Sequence, residues 1–175
     1  MDFDFQKALE AKSRGDLPET QLNIWKEFIH EHEPSQNSFP GAQSKLNQGK
    51  APLFEPGLNE MIHNEINQGH LRFSQSSREA LADAELLWVT FDTPVDEDDQ
   101  ADVELVLDKI KSVLPELNDG TVVLISSQIP VGSIKKLENF VKDNYIKKQI
   151  FFAYSPENLR LGKSIDVFLN PDRIV

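Results

Sequence analysis

Three short apolar runs mark the second half of the chain, each bounded by turn-forming or polar residues. They are Glu85–Phe91, Thr121–Ile125 and Gln149–Tyr154. The middle run is rich in β-branched residues and lies between Asp119-Gly120 and Pro130-Val131-Gly132. This pattern is typical of a strand buried on both faces, as in a parallel sheet. We therefore expect a strand at each of the three runs.

Amphipathic stretches separate these runs. From Ala101, and again after Ser133, apolar residues recur at helical spacing, and Ser133 is a candidate helix cap. Strands that alternate with helices imply right-handed crossovers and a parallel sheet covered on both faces. The predicted fold class is α/β.

Weaker signals predict further elements. Helices are expected from Leu58 to Gly69, over Ser77–Ala84 and around residues 165–169, and short strands are expected at Leu71–Phe73 and from Arg173.

The first forty residues have a different character. Phe3–Ser13 and Pro18–Glu33 read as helices, and Glu33–Gly41 has the composition of a linker. We expect a helical extension over residues 1–42 and a separate α/β domain over residues 43–175.

Composition narrows the possible functions. The chain has 175 residues and a formal net charge of -11, which disfavours nucleic acid and anionic membranes as partners. It contains no cysteine, which excludes disulfides, thiolate metal sites and a cysteine nucleophile. The amino terminus shows no signal peptide and no membrane span, so the expected compartment is the cytoplasm. The acidic residues 96–99 are interpreted as a solvated loop, and no metal site is predicted.

Six motifs follow one another after residue 44. They are Leu46–Leu58, Gly69–Phe73, Ala82–Val89 with Thr93–Asp98 and Ala101-Asp102, Ile129–Gly132, Ser155–Gly162 and Asn170–Val175. Each motif alone is weak evidence, but six in this order make coincidence implausible. Together they resemble the nucleotide-binding domain of the UDP-glucose/GDP-mannose dehydrogenase family.

The resemblance implies a Rossmann-like parallel sheet with flanking helices. It also implies NAD as cofactor, and as substrate a nucleotide sugar such as UDP-glucose, whose C6 alcohol is oxidised to a carboxylate in two hydride transfers. By the matched motifs, the cofactor-binding residues would be Thr93, Pro94, Ser127 and Pro130. The physical chemistry agrees, because these turns follow the carboxyl ends of strands, where open α/β sheets bind ligands.

The resemblance assigns catalytic roles to Gln128, near the reacting carbon, and to Glu157, as general acid/base or as the residue that positions a water. Four residues would line the nucleotide side of the substrate, largely through backbone groups: Asn158, Leu159, Arg160 and Leu161. Gln128 stands where the family usually has Thr, and Ser155 and Asn158 stand where it has Asn and Phe.

Two family features are missing from the sequence. The first βαβ unit, with its Gly-x-Gly-x-x-Gly fingerprint, has no counterpart, since Gly15 and Gly41 are isolated. The catalytic cysteine is also absent. One hypothesis is a truncated dehydrogenase piece that is inactive alone, with another chain as the candidate partner that supplies the missing domains. The alternative is a non-catalytic protein that binds a partner or a nucleotide sugar, with the acidic helices covering the open sheet edge.

Overall fold

The computed structural model describes residues 42–96, 98–156, 159 and 162–170. Six α-helices and three strands lie within these residues: α1 Ala42–Asn47, α2 Leu58–Asn67, α3 Ser77–Leu81, β1 Leu86–Val89, α4 Val103–Val113, β2 Val122–Ile125, α5 Ser133–Asn144, β3 Phe151–Tyr154 and α6 Ser164–Leu169. A 3₁₀ turn, Leu114–Glu116, extends α4. The helices expected before residue 42 and the strand expected from Arg173 lie outside the described residues.

The three strands form one parallel sheet in the order β1-β2-β3. The last residues of the strands are in register, because Val89 pairs with Ile125 and Ile125 pairs with Tyr154. The three strands therefore end at one common edge. The predicted α/β fold with a parallel sheet is confirmed.

The main core lies between one face of this sheet and the helices α4 and α5. Alternate residues of β1 and β2 point to that side, and they pack with Val106 and Leu107 of α4 and with Leu137 of α5. Both crossovers, β1-α4-β2 and β2-α5-β3, run the same way across the sheet, and both helices contribute to one core cluster, as the right-handed rule for such connections requires.

The opposite face is covered less completely within the described part of the chain. There the ring of Trp88 in β1 stacks on Phe168 of α6, with ring centroids 5.8 Å apart. Phe168 is half exposed, and so is Phe151 of β3. Within the described residues, helices therefore contact both faces of the sheet, α4 and α5 on one and α6 on the other, and β2 is almost entirely buried.

Two local predictions are wrong. Leu71–Phe73 is not a strand, because the Leu71 amide donates to the carbonyl of Glu65 at 3.1 Å and so helps to end α2. Ser133 is not a cap: the N-cap of α5 is Gly132, at φ 93°, and Ser133 is the first helical residue. Only glycine adopts such a φ without strain, so the Gly132 turn, and not a side chain, starts this helix.

Side-chain caps begin two other helices. The Asp102 carboxylate accepts from the Leu105 amide at 3.0 Å in α4, and the Ser76 hydroxyl accepts from the Glu79 amide at 3.2 Å in α3. Among the described helices none is both long and apolar enough to pass through a bilayer.

We expect Leu107→Ala to lower the free energy of unfolding by about 2–5 kcal/mol, because it leaves a cavity at a fully buried position between α4 and the sheet. Urea denaturation followed by circular dichroism measures the change. The matched control is Leu169→Ala, which removes the same atoms from a residue that is 63% exposed and should shift the free energy by less than about 0.5 kcal/mol. Equal shifts for the two variants would contradict the assigned core.

Candidate functional site

The candidate site lies where the turns after the three strands meet. The strand ladder continues for one residue into these turns: the Ser126 amide donates to Val89 at 2.8 Å, and the Ser155 amide donates to Ile125 at 3.0 Å. The turns after β2 and β3 therefore begin side by side at the carboxyl edge of the sheet. This is the edge at which open α/β sheets bind ligands.

Two hydroxyl groups join the turns after β1 and β2. The Thr93 hydroxyl donates to the Gln128 carbonyl at 2.5 Å, and the Ser127 hydroxyl donates to the Phe91 carbonyl at 2.5 Å. We call this reciprocal pair of hydrogen bonds the turn clasp. Because each turn supplies one donor and one acceptor, the clasp fixes the spacing of the two turns.

A second hydrogen-bonded chain crosses the sheet to the third turn. The indole N–H of Trp88 donates to the Ser126 hydroxyl at 2.9 Å, and that hydroxyl donates to the Ser155 carbonyl at 2.7 Å. Ser126 is buried. One side chain of β1 and one of the β2 turn thus hold the start of the segment that follows β3.

The predicted cofactor residues lie on the clasped turns in different environments. Thr93 is half-buried and Ser127 is buried, and their hydroxyls are the two donors of the clasp. Pro94 and Pro130 are exposed beside them. The structure therefore brings the four residues to one edge, where Thr93 and Ser127 join the turns. Their contacts with a cofactor stay a prediction.

The predicted catalytic and substrate residues are only partly described. Gln128 has an exposed side chain on the β2 turn, and its carbonyl is held by the clasp. Leu159 is 40% exposed. The remaining four residues, Glu157, Asn158, Arg160 and Leu161, lie outside the described residues.

Glu55 lies within the Leu46–Leu58 motif, and its sequence context predicts no role for it. Its carboxylate is buried and accepts the amides of Gly162 at 2.6 Å and Ser164 at 2.7 Å. A carboxylate is stabilised by the backbone amides at the N-terminus of a helix. The helix that Glu55 contacts begins more than a hundred residues later in the chain. No local pattern could have shown which helix it meets.

The acidic loop is stabilised by hydrogen bonds from its own amides to the Asp96 carboxylate. The Asp96 carboxylate accepts from the amides of Asp98 at 2.9 Å and Gln100 at 2.8 Å. In the part of the chain that the structure describes, no group of three or more His, Asp or Glu side chains is arranged to hold a metal ion.

The residues present fit one part of an NAD site. The clasped turns offer Pro94, Pro130 and the Gln128 amide at the ligand-binding edge, an apolar surface with a polar group beside it, as suits a nicotinamide ring. The pyrophosphate is held in such folds by a Gly-x-Gly-x-x-Gly turn, and none of the eight glycines of the sequence forms a Gly-x-Gly pair. Contact of these turns with the nicotinamide side of the cofactor therefore stays a prediction.

We expect Thr93→Val to lower the free energy of unfolding by about 1 kcal/mol, because it removes one clasp hydrogen bond while keeping the side-chain shape. Thermal and urea unfolding measure the loss. The control is Thr90→Val, the same change at an exposed position three residues earlier, which should be nearly neutral. A double-mutant cycle with Ser127→Ala should give a coupling above about 0.5 kcal/mol, and strict additivity would contradict a cooperative clasp.

Comparison with known proteins identifies the family of the chain. The model of the UDP-glucose/GDP-mannose dehydrogenase family, NAD binding domain, matches residues 42–175. UDP-glucose 6-dehydrogenase of Pseudomonas aeruginosa is 31% identical over 136 residues, which cover 75% of this chain and 30% of that protein. YwqF, the UDP-glucose 6-dehydrogenase of Bacillus subtilis, is 31% identical over 132 residues, 75% of this chain and 30% of that protein. The chain therefore spans about a third of the length of these relatives.

Solved structures agree. A UDP-glucose dehydrogenase from Pyrobaculum islandicum superposes with a TM-score of 0.64 at 26% identity, over 78% of this chain and 32% of that one. A GDP-mannose dehydrogenase from Pseudomonas aeruginosa shares the fold, with a TM-score of 0.65 at 22% identity, over 78% of this chain and 33% of that one. The predicted Rossmann-like fold and the family resemblance are both confirmed, and the chain belongs to the UDP-glucose/GDP-mannose dehydrogenase family, whose NAD-binding domain its residues 42–175 match.

Proposed function

We propose that residues 42–175 form the part of a UDP-glucose 6-dehydrogenase that holds the nicotinamide side of NAD and the nucleotide sugar. The 175-residue chain does not oxidise UDP-glucose by itself. The observation that carries the proposal is the turn clasp, which sets two family-matched turns side by side at the ligand-binding edge of the sheet.

The clasp explains how small polar residues could serve a cofactor site. The Thr93 and Ser127 hydroxyls each donate a hydrogen bond to a backbone carbonyl, and their oxygens can still accept one. Pro94 and Pro130 add rigid apolar surface beside them, so the ring would lie against a wall that does not rearrange on binding. NAD, when bound there, supplies the acceptor for the hydride that leaves the sugar carbon.

Gln128 is the described residue best placed to act on the substrate. Its backbone is fixed by Thr93 while its side chain is exposed, so the amide can offer both a donor and an acceptor to the sugar C6 oxygen or to a water. We propose Glu157 as general acid/base or water-positioning group, and we propose that Asn158, Leu159, Arg160 and Leu161 contact the nucleotide of UDP-glucose. These assignments rest on the matched motif alone.

The proposed lack of turnover rests on two facts of the sequence. Oxidation as far as the carboxylate through an enzyme-bound thiol needs a cysteine, and the chain has none. Tight binding of the pyrophosphate needs the glycine fingerprint, which is also missing from the sequence. A polypeptide that carries both would have to complete the site.

A non-catalytic binding protein is the second candidate, and the sheet edge favours it. Within the described residues β1 pairs with β2 on one side and has no strand on the other. An open strand edge next to a ligand site can accept a strand from a partner chain.

Assays with purified chain test turnover. With UDP-glucose and NAD we expect no rise in absorbance at the NADH wavelength, because the sequence lacks the glycine fingerprint that holds the pyrophosphate of NAD for the first hydride transfer, and it also lacks the thiol for the second. Addition of the cysteine-containing portion of a related dehydrogenase serves as the complementation arm. Steady NADH formation by the chain alone would overturn the proposed inactivity.

Titration calorimetry tests binding. We expect UDP-glucose to bind and NAD to bind at least about tenfold more weakly than in enzymes that have the glycine turn, because lost hydrogen bonds to a charged group cost about 1.5–3 kcal/mol each. Gln128→Ala should weaken UDP-glucose binding, whereas Gln75→Ala, at another exposed glutamine, should not. No heat with either ligand would exclude a working site and leave the partner-binding candidate.

A further inference from the structure

We propose that Glu55 is a positioning residue for the nucleotide-sugar segment, because it fixes the point at which the chain returns after β3. The proposal rests on the proposed function, since it concerns the segment assigned there to UDP-glucose. Glu55 belongs to a loop that precedes β1, and neither the sequence motifs nor the geometry of the turn clasp gives it a part in the site.

The Glu55 carboxylate binds three backbone amides with its two oxygens. Oε2 accepts from Gly162 at 2.6 Å, and Oε1 accepts from Ser164 at 2.7 Å and from Ile165 at 3.4 Å. The first two distances are short, as is typical of hydrogen bonds to a charged acceptor, which are about twice as strong as neutral ones. Glu55 is 9% exposed, so water competes little for the carboxylate.

The loop that carries Glu55 is itself held in place. The Asn59 side chain accepts from the Ala51 amide at 2.7 Å, and the Glu55 carbonyl accepts from the Leu58 amide at 3.1 Å. Gly57, at φ 81°, then turns the chain into α2. Glu55 is therefore mounted on a closed loop at the start of a helix, and a long flexible arm is not involved.

We call the three hydrogen bonds from the Gly162, Ser164 and Ile165 amides to Glu55 the clamp. The clamp holds the far end of the Ser155–Gly162 segment, and other contacts hold the near end. At the near end, Ser155 is held by its amide, which donates to Ile125, and by its carbonyl, which accepts from Ser126. At the far end, Glu55 holds Gly162. Both ends of the Ser155–Gly162 segment are thus hydrogen-bonded to other parts of the chain, the near end to the β2 turn and the far end to Glu55.

The far end of the segment is also connected to the sheet, through α6. Gly162 has φ 85° and leads into α6, and Phe168 of α6 stacks on Trp88 of β1. Since Trp88 also donates to Ser126, the two anchors meet on the same strand pair. Release of Glu55 would free the far end while leaving the near end in place.

The consequence for binding is entropic. The segment is proposed to contact the nucleotide largely through backbone groups, which bind well only if their positions are set before the ligand arrives. Each residue that must be ordered on binding costs about 1–2 kcal/mol. Loss of the clamp should therefore weaken UDP-glucose and leave NAD, proposed to lie on the clasped turns, unaffected.

The test compares Glu55→Gln with Glu60→Gln, which makes the same change at an exposed glutamate in the first turn of α2. Hydrogen exchange by NMR reads the clamp directly: in Glu55→Gln the Gly162 and Ser164 amides should exchange at least about tenfold faster, while the Ile125 amide in β2 is unchanged. Calorimetry reads the positioning role: the Kd for UDP-glucose should rise about tenfold and the Kd for NAD should stay within about twofold. Glu60→Gln should behave as wild type in both.

Each outcome decides the proposal. Unchanged exchange in Glu55→Gln overturns the clamp, and faster exchange with an unchanged Kd for UDP-glucose reduces it to a structural contact and overturns the positioning role. A wild-type chain that does not bind UDP-glucose instead overturns the proposed function, and with it the positioning role, even where the exchange result holds. Should Glu55→Gln fail to fold, Glu55→Asp, which keeps the charge and shortens the reach by one methylene, replaces it with the same criteria.

Discussion

Burial of the central strand is the constraint on which the rest of the molecule depends. Val123 and Ile125 of β2 are fully buried, and β2 pairs in register with β1 on one side and β3 on the other. A slip of one residue would turn Val123 and Ile125 away from α4 and α5. The same register sets where the strands end, so the hydrophobic core also decides which turns are neighbours at the site.

Much of the fold was predictable because its signals are local. The apolar runs gave the three strands, helical spacing gave α4 and α5, and the parallel sheet followed from their alternation. The errors came from competition between neighbours. Leu71 is used by the end of α2, and at α5 the backbone freedom of Gly132 starts the helix without the Ser133 hydroxyl. The ligand-binding edge was predictable for the same reason as the sheet, because parallel strands end together.

The contacts that hold the site could not be predicted. The Ser126 hydroxyl links Trp88 of β1 to the Ser155 carbonyl after β3, and the Glu55 carboxylate accepts from amides that lie more than a hundred residues further along the chain. Such pairings follow from the folded arrangement, and neither partner carries a mark of the other in its own stretch of sequence. The family resemblance was visible because six motifs keep their order. In two of those motifs the structure shows a structural contact: Glu55 accepts a hydrogen bond from the Ser164 amide, and Gly132 starts α5.

The indole of Trp88 connects β1 to the carboxyl edge of the sheet, where the candidate site lies. Its N–H donates to the Ser126 hydroxyl, which in turn donates to the Ser155 carbonyl, and its ring stacks on Phe168 of α6, so it is linked to both sides of the segment between β3 and α6. An indole changes its emission when its hydrogen bond or its stacking partner changes, so this residue is a built-in optical reporter. Movement at either end of that segment alters the light it emits without any label being added.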